Sequence, residues 1–423
     1  MRHLIQSGIL ATALMAGLTV QAQDNGRDLQ QFRYPDQRGI NQFEALGDNN
    51  VTFDGVKVRM GGAFAIQLQG LNHSTGSVLD TLTEIGTNFN LPTANLDMDV
   101  ALADGMRMHL RTYLSARHHN EAWVKGGYLQ IDKLDFIRKD FLKGVMDITT
   151  VKVGLMENNY GDYHFRRTDN ARAIYNPFVG NLIMDGFTTE AGAEIYVTPG
   201  DFLIMFGVTN GKLNQRVTDP GATGPVILGK LGYDKQVNDD LRLRLTTSLY
   251  TTGKSAHNYL YSADRAGSRF YLVMDDTGNP TSNFRTGRYD PGFTNEITAV
   301  MINPFVQFKG LELLGTVELS SGKAEAEADT RNWTQLAADL LYRFGPTDNL
   351  YIGAKYNQAA GEEAFTGNDV TISRIEAGAG WYMTKNVLVK AEYVQQTYDG
   401  FDATNILYEG QFDGVMLEAV VSF

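Results

Sequence analysis

Apolar and polar residues alternate with a period of two over much of the chain. In residues 56–68 every even position is apolar or glycine, and the odd positions are charged, polar or small. The same alternation returns in residues 106–114 and 241–250. Because successive side chains of a strand point to opposite faces, this pattern predicts strands with one apolar and one wet face.

The alternation predicts sixteen strands joined by short turns and longer loops. We place the strands at residues 56–70, 96–102, 106–116, 122–132, 149–156, 189–198, 202–209, 226–234, 241–251, 296–308, 311–320, 333–344, 350–358, 370–383, 387–397 and 411–423. The connection at 133–148 is too long for its place in this order. An even number of antiparallel strands with short turns at one end and long loops at the other is typical of transmembrane β-barrels. Eighteen strands stay open if residues 268–275 join the wall with a partner.

A soluble β-sandwich is the alternative all-β fold, because its strands also alternate. A sandwich directs its apolar faces inward and does not need ten-residue segments repeated over some 370 residues as one unit. We therefore predict one all-β domain, an antiparallel transmembrane barrel spanning residues 56–423.

The first residues predict export from the cytoplasm. A short basic region at residues 1–3 precedes an apolar stretch at 9–20 and a small-residue cleavage site, which together predict a signal peptide over residues 1–22. Residues 23–55 are rich in Gln, Asp and Arg and are interpreted as a lead-in that lies in the periplasm or faces the lumen.

Composition removes several classes of function. The 423 residues contain no cysteine, which excludes disulfide, zinc-thiolate and cysteine-nucleophile chemistry. A formal net charge of −12 argues against nucleic acid as a partner. No later stretch is apolar over the ~18 residues that a membrane-spanning helix needs. We expect no cofactor and no metal. We also expect no enzymatic activity, since no serine and histidine are placed together convincingly.

The C-terminal residues point to the Gram-negative outer membrane. Residues 415–423 alternate to the last position and end in Phe423. This ending resembles the C-terminal strand by which the barrel-assembly machinery recognises outer-membrane proteins. The machinery is thus an expected partner, along with outer-membrane lipids and lipopolysaccharide.

Several short segments resemble the phosphate-selective porin (O and P) family. They are residues 151–161, followed by Arg166 and Arg167, and residues 206–211, 310–318 and 390–394. The resemblance implies a sixteen-stranded, water-filled homotrimeric channel. It does not imply specificity for phosphate. It also implies that the third long loop folds into the lumen and forms the constriction.

The predicted lumen face has a mixed charge. If the turn at 103–105 is a three-residue loop with a left-handed Gly105, Asp97 lies opposite Arg111 and Asp99 opposite His109. Such pairs would stabilise the wall without any role in permeation. The basic side chains that we place in the lumen include Arg107, Arg111, Lys152, Arg242 and Arg244.

The third long loop, residues 157–188, is the best local indicator of selectivity. It contains His164, Arg166, Arg167 and Arg172. A ring of basic groups at a narrowing favours anions, because a low-dielectric wall focuses their field on the permeating ion. The alternative is that these arginines only tie the loop to wall carboxylates such as Glu190 or Glu194.

The sequence thus predicts a porin for passive diffusion of small hydrophilic solutes, with a preference for anions such as phosphate or small carboxylates. The predicted constriction comprises His164, Arg166, Arg167, Arg172, Arg107, Arg111, Arg242, Arg244 and Lys152. The alternative is a surface receptor or adhesin that acts through its long loops, of which residues 251–295 form the longest.

Overall fold

A computed structural model describes residues 29–46, 51–79, 81–114, 122–169, 171–213, 223–263, 269–279 and 285–423. The predicted signal peptide lies outside these residues. The strands of the described chain are β1 (Lys57–Ser74), β2 (Asn88–Ala103), β3 (Met106–Leu114), β4 (Trp123–Ile131), β5 (Thr149–Glu157), β6 (Thr189–Val197), β7 (Phe202–Thr209), β8 (Val226–Gln236), β9 (Leu241–Thr252), β10 (Glu296–Phe308), β11 (Leu311–Lys323), β12 (Arg331–Phe344), β13 (Leu350–Glu362), β14 (Asp369–Thr384), β15 (Val387–Asp399) and β16 (Gln411–Ser422).

The strands form one closed antiparallel barrel in sequence order. Each strand pairs with its neighbours along the chain, and β16 pairs with β1 to close the sheet. The predicted all-β barrel of sixteen strands is therefore confirmed, and the sandwich alternative is wrong. Closure leaves no free sheet edge, which a membrane-embedded sheet requires because lipid offers no hydrogen-bond partners.

The predicted turn geometry at the end of β2 is also confirmed. Gly105 has a φ of +70°, and a Cβ at this position would lie 2.9 Å from the backbone nitrogen of Lys133. In the resulting register Asp97 lies opposite Arg111 and Asp99 opposite His109.

Three predicted features differ from the structure. The first two strands extend further than predicted, β1 to Ser74 and β2 back to Asn88. The long connection between β4 and β5 contains a short helix, α1 (Lys143–Met146). Residues 269–274 form turns inside the barrel, so the eighteen-strand possibility is wrong for the described chain.

The outer surface of the barrel is a belt of exposed apolar side chains. Along β12 the even positions are exposed and the odd positions buried, so one face points to lipid and the other to the lumen. Aromatic rings lie near the short-turn end of the belt, where Tyr342 and Phe344 stack on each other. Further exposed apolar residues are Val153, Ile195, Phe206, Leu231, Leu245, Ile302, Leu313, Leu336, Leu340, Ile352, Ile375 and Leu417. In the described chain, no helix is long and apolar enough to cross a membrane.

Three segments occupy the lumen. They are the N-terminal segment (residues 29–46) and the described parts of two loops: the third long loop (residues 158–188, between β5 and β6) and the fifth long loop (residues 253–295, between β9 and β10). Apolar side chains from all three pack into buried clusters with lumen-facing wall residues.

Candidate functional site

The third long loop crosses the lumen and is fastened to the wall through its backbone. Val179 N donates to Glu392 Oε2 at 2.6 Å, and Ile183 N donates to Asn357 Oδ1 at 2.6 Å. Lys390 Nζ donates to the carbonyl oxygen of Phe178 at 2.9 Å. These partners lie on β13 and β15, so residues 178–183 are attached to that part of the wall and the loop folds into the lumen.

Two of the loop arginines form buried ion pairs. Arg166 contacts Glu312 of β11 at 3.0 Å, and Arg167 contacts Asp185 within the loop at 2.5 Å. Both arginines are at most 2% exposed. Burial and pairing keep these two charges away from any solute, so they anchor the loop.

Arg172 and His164 share one carboxylate. Arg172 Nη1 lies 2.5 Å from Glu157 Oε1, and His164 Nδ1 lies 2.8 Å from the same atom. Burial is the largest influence on His164 and lowers its pKa to about 4, although the contact with Glu157 acts in the opposite direction. The imidazole is therefore neutral at neutral pH and does not add to the positive charge of the loop.

The fifth long loop fills the side of the lumen near the seam between β1 and β16. Arg269 forms an ion pair with Glu418 at 2.9 Å, and Tyr271 N donates to Gln69 Oε1 at 2.7 Å. Phe187 N of the third long loop donates to the carbonyl oxygen of Leu260 at 2.8 Å. The two long loops therefore pack on each other inside the barrel.

The N-terminal segment lies across the short-turn end of the barrel. Gln37 N donates to the carbonyl oxygen of Lys385 at 2.8 Å, and Ser422 Oγ donates to that of Pro35 at 2.6 Å. Arg33 Nη1 donates to the carbonyl oxygen of Phe165 in the third long loop at 3.0 Å. The described part of the predicted lead-in therefore contacts both the barrel wall and the third long loop.

A buried cluster of four charged side chains attaches this segment to the third long loop and to the wall. Glu44 of the N-terminal segment and Asp162 of the third long loop both contact Lys230 of β8 and Arg244 of β9, at distances of 2.7 to 3.0 Å. Burial alone would raise the pKa of Glu44, but Arg244 and Lys230 outweigh it and lower the pKa to about 2. Both carboxylates stay ionised, so the cations of this cluster are neutralised.

A cavity of about 170 Å³ remains between the N-terminal segment, the third long loop and the wall from β1 to β6. Seven Arg or Lys and five Asp or Glu residues line it. His109 contacts Asp99 at 2.8 Å, and Arg111 pairs with Asp97 at 2.6 Å. Arg107 also contacts Asp99, at 3.0 Å. The wall pairs expected from the turn geometry are therefore present here.

Three cavity-lining cations have no ion pair within 4.0 Å in the part of the chain that the structure describes: Arg33, Arg59 and Lys152. Each lies against an aromatic ring. Arg33 Cζ is 3.7 Å from the Tyr175 ring centroid, Arg59 Cζ is 5.0 Å from that of Phe32, and Lys152 Nζ is 4.8 Å from that of Tyr196. Within the described ranges, the cavity thus has positive charge that no ion pair neutralises.

The predicted site residues divide into two groups. Arg107, Arg111, Lys152, His164 and Arg172 line the cavity. The remaining four, Arg166, Arg167, Arg242 and Arg244, lie outside its lining, each in an ion pair. Sequence reasoning missed Arg33 as a site residue. The only signal for it was the Arg content of the lead-in.

Closed antiparallel topology, an apolar belt around the barrel and a charged lumen define an outer-membrane β-barrel of the porin type. No protein-family model matches the chain, and no curated protein is significantly similar to it in sequence. Solved structures, however, share the fold at 10–12% sequence identity.

One similar structure is the outer membrane channel DcaP of Acinetobacter baumannii, with 12% identity, a TM-score of 0.53 and coverage of 88% of this chain and 99% of that chain. A second is the anion-selective porin from Comamonas acidovorans, with 12% identity, a TM-score of 0.51 and coverage of 87% and 100%. A third is OmpT of Vibrio cholerae in its trimer form, with 10% identity, a TM-score of 0.53 and coverage of 88% and 100%. The chain is therefore an integral outer-membrane β-barrel protein.

Proposed function

We propose that this protein is a porin that conducts small hydrophilic solutes by passive diffusion and prefers anions. The observation that carries the proposal is the charged cavity inside a closed barrel, where Arg33, Arg59 and Lys152 are left without ion pairs among the described residues. In a confined, low-dielectric lumen such charges raise the local concentration of anions. No chemical step is required, because width and wall charge govern passage.

The fold and the described nature of the similar structures support this function. One of those structures is described as an anion-selective porin and another as a channel. We propose a trimeric state for this protein, because one of the similar structures is described in its trimer form. Contacts with lipid and lipopolysaccharide, and recognition of the Phe423 strand by the barrel-assembly machinery, stay predictions from the sequence. Membership of the phosphate-selective family stays a prediction from short sequence segments.

The cavity lining changes which residues we hold responsible for selectivity. Arg166 and Arg167 anchor the third long loop, whereas Arg59 and Lys152 face the cavity from β1 and β5. The receptor alternative gains no support, because the described part of the fifth long loop packs inside the barrel.

A planar bilayer under a KCl gradient tests the proposal. We expect an anion-selective reversal potential for the purified protein and a shift toward zero for the double variant Arg59→Gln, Lys152→Gln. Lys309→Gln removes an exposed charge at a short turn and serves as the matched control, with unchanged selectivity. A cation-selective reversal potential would contradict the anion preference, and absence of conductance would contradict the channel.

A further inference from the structure

We propose that the cavity between the N-terminal segment and the wall from β1 to β6 is a binding site for small aromatic monocarboxylates. The inference rests on the channel function proposed above and specifies its solute. It assigns the N-terminal segment a role in solute selection, beyond occupying the lumen.

The charge of the cavity favours an anionic solute. Its lining has two more basic than acidic side chains among the described residues, and most of the acidic ones already contact cations. Glu194 also lines the cavity and lies opposite Lys152 in the β5–β6 register. Phosphate would meet the same positive charge, but it has no apolar face to place against the aromatic rings of the lining.

Arg33 supplies positive charge from a fixed position. Its guanidinium donates to the carbonyl oxygens of Gly39 at 2.8 Å and Phe165 at 3.0 Å, which use only part of its donor capacity. Burial lowers its pKa to about 10, so it stays protonated at neutral pH. A planar guanidinium held in this way can offer a carboxylate parallel N–H donors.

The walls of the cavity are rich in aromatic rings. Each of the three cations without an ion pair lies against a ring, and the rings of Phe32, Tyr175 and Tyr196 all line the cavity. Tyr128 adds a further ring 5.7 Å from Lys152 Nζ. Tyr175 and Tyr196 are buried, whereas Phe32 and Tyr128 are partly exposed to the cavity. A flat aromatic solute can stack on these two rings while its carboxylate faces the cations, an arrangement that an aliphatic or spherical anion cannot match.

The size of the cavity agrees with this solute class. A cavity of roughly 150 Å³ in a protein interior can hold a benzene ring. The volume of about 170 Å³ found here therefore admits one ring with a carboxylate.

The experiment compares benzoate, cyclohexanecarboxylate and phosphate as inhibitors of the KCl current through the purified protein in planar bilayers. We expect benzoate to reduce the current at about a tenfold lower concentration than the other two anions. That difference corresponds to roughly 1.4 kcal/mol, the size of one or two aromatic contacts. Equal inhibition by all three anions, or no inhibition by benzoate, would overturn the proposal.

Variants of the N-terminal segment locate the site. Arg33→Gln and Phe32→Leu are each expected to raise the half-inhibiting benzoate concentration about tenfold, with inhibition expressed as a fraction of each variant's own KCl current. Lys235→Gln, an exposed position paired with Asp201 at the short-turn end, is the control and should behave as the wild type. Unchanged benzoate inhibition in both cavity variants would contradict a role for the segment.

Calorimetric titration of the detergent-solubilised protein with benzoate separates the two proposals. If the protein binds benzoate, Arg33→Gln weakens this binding and no KCl current is found, the channel function is contradicted and the benzoate site is supported. If a KCl current is found but benzoate does not bind, the benzoate site is contradicted and the channel function is supported.

Discussion

Charged side chains of the lumen differ in whether a carboxylate of the same chain already neutralises them. Arg166 and Lys152 look equivalent in the sequence, since both are basic residues at predicted lumen positions. In the structure Arg166 is bound to Glu312, whereas Lys152 rests against the Tyr196 ring. Only the second kind of residue is available to attract a solute.

Residue pairs that are close along the chain were predictable, and distant pairs were not. Asp97 and Arg111 are related through one turn whose geometry follows from Gly105, so their pairing could be derived. Arg166 and Glu312 are 146 positions apart and meet only because a loop folds across the lumen. Period-two alternation places a residue on a face but does not say which loop side chain will reach it.

Glu44 offers a residue-scale prediction about pH. Its folded pKa of about 2 lies below the unfolded value of ~4.3, so the stabilisation is fully present above about pH 4.3 and is lost as pH falls toward 2. We expect backbone hydrogen exchange in residues 39–46 to lose protection over this interval.

Glu44→Gln should remove this pH dependence and weaken the attachment of the segment by about 1.5–3 kcal/mol, the contribution of a charge-assisted hydrogen bond. Glu325→Gln, in a loop away from the cluster, is the control. Equal protection in the wild type and in Glu44→Gln at pH 7 would show that the cluster does not hold the segment.

The strands and the three lumen segments differ in how strongly the local sequence determines their positions. The strands share the alternation of apolar and polar residues, which lipid on one face and a wet lumen on the other require. Because this alternation is visible in the sequence, every predicted strand is present in the structure. The start of β2 was missed because residues 88–95 contain Pro92 and several polar residues and do not alternate clearly. The N-terminal segment and the two long loops have no period at all, so their folding into the lumen depends on partners that are remote in sequence.

The fifth long loop gives the element-scale prediction. Residues 269–271 are attached to β1 and β16 through Gln69 and Glu418. The double variant Gln69→Ala, Arg269→Gln removes these side-chain contacts, so we expect the loop to leave the lumen more often and the single-channel conductance to rise. Lys235→Gln with Gln236→Ala, at the short-turn end, is the matched control. Conductance equal to that of the wild type would mean that this loop does not obstruct passage.

At the scale of the whole molecule, the apolar belt sets where lipid surrounds the barrel. Leu340 lies on the exposed face of β12 between Leu336 and the aromatic pair Tyr342 and Phe344, which places it well inside the belt. Thr334 lies on the same face nearer the long-loop end, where the exposed residues become polar.

Leu340→Arg is expected to lower the free energy of unfolding in lipid vesicles by about 2–4 kcal/mol, because a cation would face hydrocarbon. Thr334→Arg should cost only about 0–1 kcal/mol, since its side chain reaches the interface. Urea titration of both variants measures the difference. Similar losses at the two positions would show that the belt is placed wrongly along β12.

The N-terminal segment contacts the barrel where β1 and β16 pair to close the sheet. Pro35 accepts a hydrogen bond from Ser422 of β16, the strand that pairs with β1 to complete the sheet. Farther along, Glu44 reaches partners on β8 and β9 at the opposite wall. Because Pro35 is held by the strand that closes the barrel, we expect the N-terminal segment to complete its contacts with the wall only after β16 has paired with β1.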